Sequence, residues 1–207
     1  MKKRPRRWVS FKSLNPKVKW PIIISEDWAF YEHKGIDWSQ LQKALWESAK
    51  KFKLGRGAST ISQQLVKNLY LSSHRSIFRK INEVILVFFL ENFSSKDWIL
   101  EQYLNIAEFS FRVDGVGQAS WHYFNKGQGK LGYREGAFLA MLMPSPQKYS
   151  SSFKNRKLSD FARKRIQEIL RKLVTAKVMT TFDLQQELNR SFYWETSSSA
   201  TLDVENK

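Results

Sequence analysis

The chain has no cysteine, which excludes a disulfide framework and a thiolate metal site and leaves oxidising and reducing compartments equally open. Histidine is scarce as well: His33, His74 and His122 are scattered, without the spacing of zinc ligands. No apolar run approaches the roughly 20 residues that cross a bilayer; Val84 to Leu90 amounts to seven. The first twenty residues carry eight Lys or Arg and no acid, but lack the apolar stretch of a signal peptide. There is no internal repeat and no sustained alternation of the kind that marks a half-buried strand.

What is present is positive charge and aromatic surface. In 207 residues, 35 Lys and Arg stand against 19 Asp and Glu, a net charge of +16. That excess attracts a polyanion: nucleic acid, anionic lipid or a phosphorylated substrate. Eight Trp and fifteen Phe exceed the needs of a small core. Trp and Tyr favour the membrane interface, although aromatic side chains also stack on nucleic acid bases. A hydrophobic content of 42% suffices for one domain or a compact two-lobed one.

The periodicity is helical. Asp37 can cap a helix with Leu41, Leu45, Ala49 and Phe52 on one stripe and Gly55 as its stop. Ile61, Leu65 and Leu69 predict a second helix, and Ser72, Ser73 or Ser76 can cap a third that contains Arg79, Glu83 and the apolar run to Leu90. That run is apolar on all sides, which predicts the central buried helix. Ser94 or Ser95 caps a helix with Ile99, Leu100, Tyr103 and Leu104 inward. Residues 109 to 133 mix glycines with aromatics and read as an irregular lobe, and Glu135 to Met143 as a short helix stopped by Pro144 and Pro146. Amphipathic helices are expected over Ser159 to Val174 and Asp183 to Arg190, and a disordered tail from Thr196.

Candidate chemistry gathers in four places. Residues 57 to 68, Gly-Ala-Ser-Thr-Ile-Ser-Gln-Gln-Leu-Val-Lys-Asn, surround one cation with donors, as a site for an anionic ligand would. On a helix Gln63, Gln64 and Lys67 share a face, with Ser59 and Thr60 one turn earlier at a glycine loop; a solvated amphipathic face has the same pattern. Glu26 and Asp27 are adjacent carboxylates beside an aromatic cluster; either one acts and the other braces the backbone, or they are a helix-capping or surface pair, which has the same pattern. Arg75, Arg79 and Glu83 follow at i+4 steps. This is either a surface ion-pair ladder or, since Glu83 borders seven apolar residues, a buried acid with a partner or a metal ion. Glu101, Asn105 and Glu108 form a polar stripe suited to packing and hydrogen bonding, and His33 is expected to be structural.

In order along the chain, Ser-Glu-Asp-Trp-Ala-Phe-Tyr-Glu-His-Lys-Gly at 25 to 35, the polar segment at 57 to 68, Arg-Lys-Ile-Asn-Glu with Leu90-Glu91, Lys96 through Asn105, and Glu135 to Pro146 resemble the five motifs of the peptidoglycan glycosyltransferases, glycosyltransferase family 51. The monofunctional transglycosylases are the nearest kind. The resemblance covers roughly Trp8 to Val174. It implies a mainly α, lysozyme-like globular lobe with a smaller membrane-contacting jaw lobe. It also implies polymerisation of lipid II into a growing glycan strand, with inversion and release of undecaprenyl pyrophosphate. Carried onto matching positions, Glu26 is the general base and Glu83 the second carboxylate, on the donor side. Lys67 and Arg75 face the pyrophosphate, Ser59, Gln64 and Asn68 line the donor site, and Arg79 joins the substrate-binding set. No organic cofactor is implied; a divalent ion, Mg or Mn, at Glu83 is compatible. The implied setting is the outer face of the bacterial cytoplasmic membrane, with other cell-wall synthesis proteins as partners and no nucleic acid. The organisation expected is a basic arm over residues 1–7, the transferase domain over 8–190 and a tail over 191–207. The family's anchor helix is absent from this chain and is expected ahead of Met1. Ser62, Ser110, Asn125 and Ser145 stand where the family usually has Thr, Gly, Gly and Asn; if position 125 needs a positive φ, Asn tolerates it. Two other readings share these features: a lysozyme-like enzyme that cleaves glycan, which needs an acid and no pyrophosphate-binding cations, and a non-catalytic protein that binds membrane or nucleic acid.

Overall fold

The computed structural model describes residues 5, 7–51, 59–70 and 76–195. The fold is mainly helical, as expected. Helix α1 (Pro16–Glu26) opens with Pro16 in the first turn and Asn15 as its cap, the Asn15 side chain accepting from Lys17 N at 2.9 Å. Asn15 Nδ2 also donates to the carbonyls of Gln128 and Leu131, so the cap fixes where the helix starts relative to the middle of the chain. Helices α2 (Trp38–Lys51), α3 (Ile61–Tyr70), α4 (Ile77–Phe93) and α5 (Lys96–Ile106) follow. Asp37 caps α2, Ser76 caps α4 and Ser95 caps α5. Of the expected α2 stripe, Phe52 and the Gly55 stop lie outside the described residues.

A two-stranded antiparallel ribbon, β1 (Glu108–Ser110) and β2 (Val113–Asp114), leads into α6 (Val116–Phe124). The stretch from 109 to 133, expected to be irregular, therefore holds a strand pair and a helix with Val116, Ala119, Tyr123 and Phe124 buried. Gly115 and Gly117 mark close approaches of backbone. Gly115 has φ 81°, and a Cβ there would stand 2.6 Å from the Asn105 carbonyl oxygen. Asn125 ends α6 at φ 52°, the left-handed conformation that asparagine accepts. The remaining helices are α7 (Tyr133–Leu142), the short α8 (Pro146–Tyr149) and α9 (Ser151–Lys154), then α10 (Asp160–Thr175) and α11 (Thr181–Asn189).

The helix at the centre is α7, not α4. Every residue from Arg134 to Leu142 is buried, with α1 on one side and α10 on another. Gly136 lets the α1 backbone come close, since a Cβ there would run into the Lys17 carbonyl. Among the described side chains of α4 only Glu83 and Val87 are buried, whereas Phe78, Ile81, Val84, Ile85, Phe88, Phe89 and Phe93 are exposed. The expectation of a central α4 is overturned because α4 packs along one side, mainly against α3. An all-round apolar sequence cannot tell a protein neighbour from another apolar environment.

Glu101 and Asn105 have the structural role expected of them. Glu101 accepts from Trp8 Nε1 at 2.9 Å and Phe11 N at 2.8 Å, and Asn105 exchanges bonds with the Val9 backbone. Glu108 has left the helix and lies exposed in β1. At the other end, Phe192 and Trp194 stack with centroids 4.9 Å apart and pack on Phe138. The core thus continues past Arg190. The tail from Thr196 lies outside the described residues.

Candidate active site

Glu26 is the last residue of α1, and Asp27 leaves the helix at φ −161° and ψ 74°. That break sends adjacent carboxylates in different directions. Asp27 is 2% exposed; its Oδ1 lies 2.8 Å from His33 Nε2 and its Oδ2 accepts the Ile61 backbone N–H at 2.9 Å. His33 Nδ1 in turn accepts from Gly35 N at 3.1 Å. Asp27 therefore braces, with His33 as its structural partner. It ties the end of α1 to the start of α3, where helix N–H groups lack internal acceptors.

Glu26 is left half-buried against Gln64. Its Oε2 accepts from Gln64 Nε2 at 3.0 Å, and Gln64 Oε1 accepts from the Tyr103 hydroxyl at 2.9 Å. Burial pushes the Glu26 carboxyl above the ordinary glutamate range and Asp27 adds to the rise; the Gln64 hydrogen bond, Arg165 and Lys67 draw it back. A half-buried carboxylate with increased proton affinity suits general base work.

The start of α3 is built by Thr60 and Gln63. Thr60 N donates to Gln63 Oε1 at 3.0 Å, Gln63 N to Thr60 Oγ1 at 3.2 Å, and Thr60 Oγ1 to the Gly35 carbonyl at 2.5 Å. This is the reciprocal pattern of a capping box. Gln63 is thus a buried cap and does not share a working face with Gln64 and Lys67. Lys67, Asn68 and Ser59 are exposed, and the Ser59 carbonyl accepts from Gln64 Nε2 at 3.4 Å. Ser62 sits fully buried one turn along, bonded to Glu91, which also accepts from Lys96 Nζ at 2.8 Å. A serine hydroxyl keeps this contact where the resembled motif has threonine.

Glu83 is 3% exposed and is paired on its own helix with Arg79 at 3.2 Å and with Lys80. The buried acid has cations as partners, one of them unforeseen. Arg75 lies outside the described residues. Among the described residues no group of three or more His, Asp and Glu could hold a metal ion, and both Glu83 oxygens are engaged by cations, so these residues do not by themselves fit a metal site.

The structure thus brings Glu26, Gln64 and Lys67 together and sets Arg79 with Glu83. Sequence reasoning placed Tyr103 only as an inward residue of its helix and passed over Arg165 altogether. Tyr103 could have been suspected from its place among the motif residues before Asn105. Arg165 carried no local signal, because its relation to Glu26 spans most of the chain and is made by α10 packing on α1.

A half-buried carboxylate of raised proton affinity, bonded to a glutamine one turn from a lysine on a mainly helical lysozyme-like scaffold, fits an enzyme that moves glycosyl groups. The transglycosylase family model matches residues 1–174. The chain is 40% identical over 159 residues to a biosynthetic peptidoglycan transglycosylase of Dechloromonas aromatica (strain RCB), a match covering 77% of this chain and 68% of that one. Similar relatives of that name occur in Janthinobacterium sp. (strain Marseille), 42% identical over 69% of this chain and 62% of the relative, and in Nitrosomonas eutropha (strain DSM 101675 / C91 / Nm57), 38% identical over 85% and 70%. The chain therefore spans about two thirds of the length of these relatives. It belongs to the transglycosylase family, among its peptidoglycan glycosyltransferases.

Proposed function

We propose that this chain polymerises lipid II, with Glu26 as the base. The acceptor's 4-hydroxyl gives its proton to the Glu26 carboxylate as its oxygen attacks the anomeric carbon of the donor. The new C–O bond forms on the face opposite the leaving group, the bond to undecaprenyl pyrophosphate breaks with its electron pair, and the configuration inverts. Negative charge grows on the pyrophosphate, where Lys67 and Arg75 stabilise it; each such group is worth roughly 10² to 10³ in rate by analogy with oxyanion donors. The base adds on the order of 10² to 10⁴. Ser59, Gln64 and Asn68 hold the donor, and Glu83 acts through the cations it orients, Arg79 and Lys80.

The site works at a membrane, the outer face of the cytoplasmic membrane in this reading. Phe78, Phe88, Phe89 and Phe93 on α4 and Trp38 and Trp46 on α2 are all more than half exposed, which suits insertion into a lipid surface. No helix among the described residues is long and apolar enough to cross a membrane. The excess positive charge supports attraction to anionic lipid.

The observation that carries this reading is the desolvated Glu26, hydrogen-bonded to Gln64, which lies one turn of α3 before Lys67. Purified Glu26→Gln should give no glycan polymer from lipid II while its far-ultraviolet circular dichroism matches the wild type. Polymer at the wild-type rate rejects Glu26 as the base.

A further inference from the structure

We infer that Tyr103 is a positioning residue for the reaction: its hydroxyl donates to Gln64 Oε1 and locks the amide so that its NH2 always faces Glu26 Oε2, leaving the other carboxyl oxygen to take the acceptor's proton. The inference rests on the transferase reading above and goes one residue deeper into it.

The amide orientation follows from its surroundings. Gln64's nitrogen end has two acceptors around it, Glu26 Oε2 at 3.0 Å and the Ser59 carbonyl at 3.4 Å. Turned over, the amide would set its own carbonyl against both, a carboxylate included, with no proton between them. With the nitrogen so placed, the oxygen end faces Tyr103 at 2.9 Å, and the tyrosine must be the donor. Tyr103 is 1% exposed. Burial, then the charges of Glu26 and Asp27, push its hydroxyl well above the ordinary tyrosine range, so it keeps its proton throughout the working pH of an enzyme. It is an obligate donor. Because Gln64 occupies Oε2, and among the described residues the second Glu26 oxygen has no hydrogen-bond partner, that oxygen is the free proton acceptor.

The arrangement explains why a glutamine and a buried tyrosine belong beside a carboxylate that serves as the base. The charged and titratable groups that face Glu26 are Asp27 next to it, Lys67 from α3, Arg165 from α10 and Tyr103 from α5. Of these, only Tyr103 sets the direction of the neutral donor. A hydrogen bond to a carboxylate lowers its proton affinity. A loosened Gln64 therefore raises the pH at which Glu26 becomes an active base.

Lipid II polymerisation should be followed against pH for wild type, Tyr103→Phe, Gln64→Ala and the double variant. In Tyr103→Phe we expect kcat to fall about tenfold and the acid limb of the profile to move up by about one pH unit, the scale of one charge-assisted hydrogen bond. KM for lipid II should move less than kcat, since Tyr103 does not touch substrate and Gln64 is only one of the residues that hold the donor. Gln64→Ala should move the acid limb the same way, and the double variant no further, because the two residues act as one unit. An unmoved acid limb in Tyr103→Phe, or additive shifts in the double variant, overturns the inference. A second readout does not need activity. In the wild-type protein labelled with ¹⁵N-glutamine, the Gln64 side-chain NH2 resonances should titrate with Glu26, and in Glu26→Gln they should not. If they fail to titrate, the proposed orientation is wrong even should Tyr103→Phe not fold. If they titrate but the wild type makes no polymer, the transferase reading fails and the amide geometry stands.

Discussion

Asp27 Oδ2 accepts the backbone N–H of Ile61 across 2.9 Å and 34 residues of sequence. The other Asp27 oxygen holds His33, so one buried carboxylate joins the helix that carries Glu26 to the helix that carries Gln64 and Lys67. The distance between Glu26 and Gln64 is set by this brace.

Asp27→Ala leaves the Ile61 N–H buried without an acceptor, which costs about 1–3 kcal/mol. We expect urea unfolding to show at least that loss, and polymerisation to fall because α3 is no longer held against α1. Asp27→Asn keeps an oxygen for Ile61 or for His33 but not for both, and should fall between. A variant as stable as wild type would mean the brace carries no energy.

Burial raises the proton affinity of Glu26 in the folded state, and the sign of the stability effect follows. The folded chain still binds this proton at pH values where the unfolded chain has released it. The contribution to stability is complete below the ordinary glutamate range and is lost as pH rises through the folded value. Glu26→Gln, inactive in polymerisation, should therefore melt higher than wild type at neutral pH, with the difference vanishing below about pH 4. A difference in melting temperature that does not change with pH would contradict the desolvated carboxylate.

The exposed face of α4 should matter at a lipid surface and little elsewhere. Phe78, Phe88 and Phe93 are 80%, 63% and 81% exposed, so replacing all three with Ser removes few internal contacts. Burying one phenylalanine is worth about 1.5–3 kcal/mol, and three should weaken sedimentation with anionic vesicles by at least about tenfold. Melting in the absence of lipid should stay within about 2 °C of wild type. A large drop in melting temperature would show that α4 is a core helix after all.

Much of this was legible in the residues. Asp37, Ser76, Ser95 and Ser159 cap helices as their side chains suggest, because capping is a local matter between a short polar side chain and the next turn. The motif segments and the pairing of Glu83 with Arg79 were also visible, since i+4 neighbours meet on any helix. Gln63 was misread, because the choice between a cleft-facing amide and a cap depends on where the glycine loop joins the helix.

By itself the sequence determined the helical class, the family and the chemical inventory: the carboxylates and the lysine on which the proposed reaction rests, and an excess of cations and aromatics. These depend on residue type and spacing within single elements. Only the tertiary structure decided which of Glu26 and Asp27 is tied down as a brace, which way Gln64 points, that Tyr103 and Arg165 bear on Glu26, and that α7 rather than α4 is central. Each of those is a contact between elements far apart in the chain. Its partner is chosen by packing and by the need to satisfy buried polar groups, and neither is encoded in local periodicity.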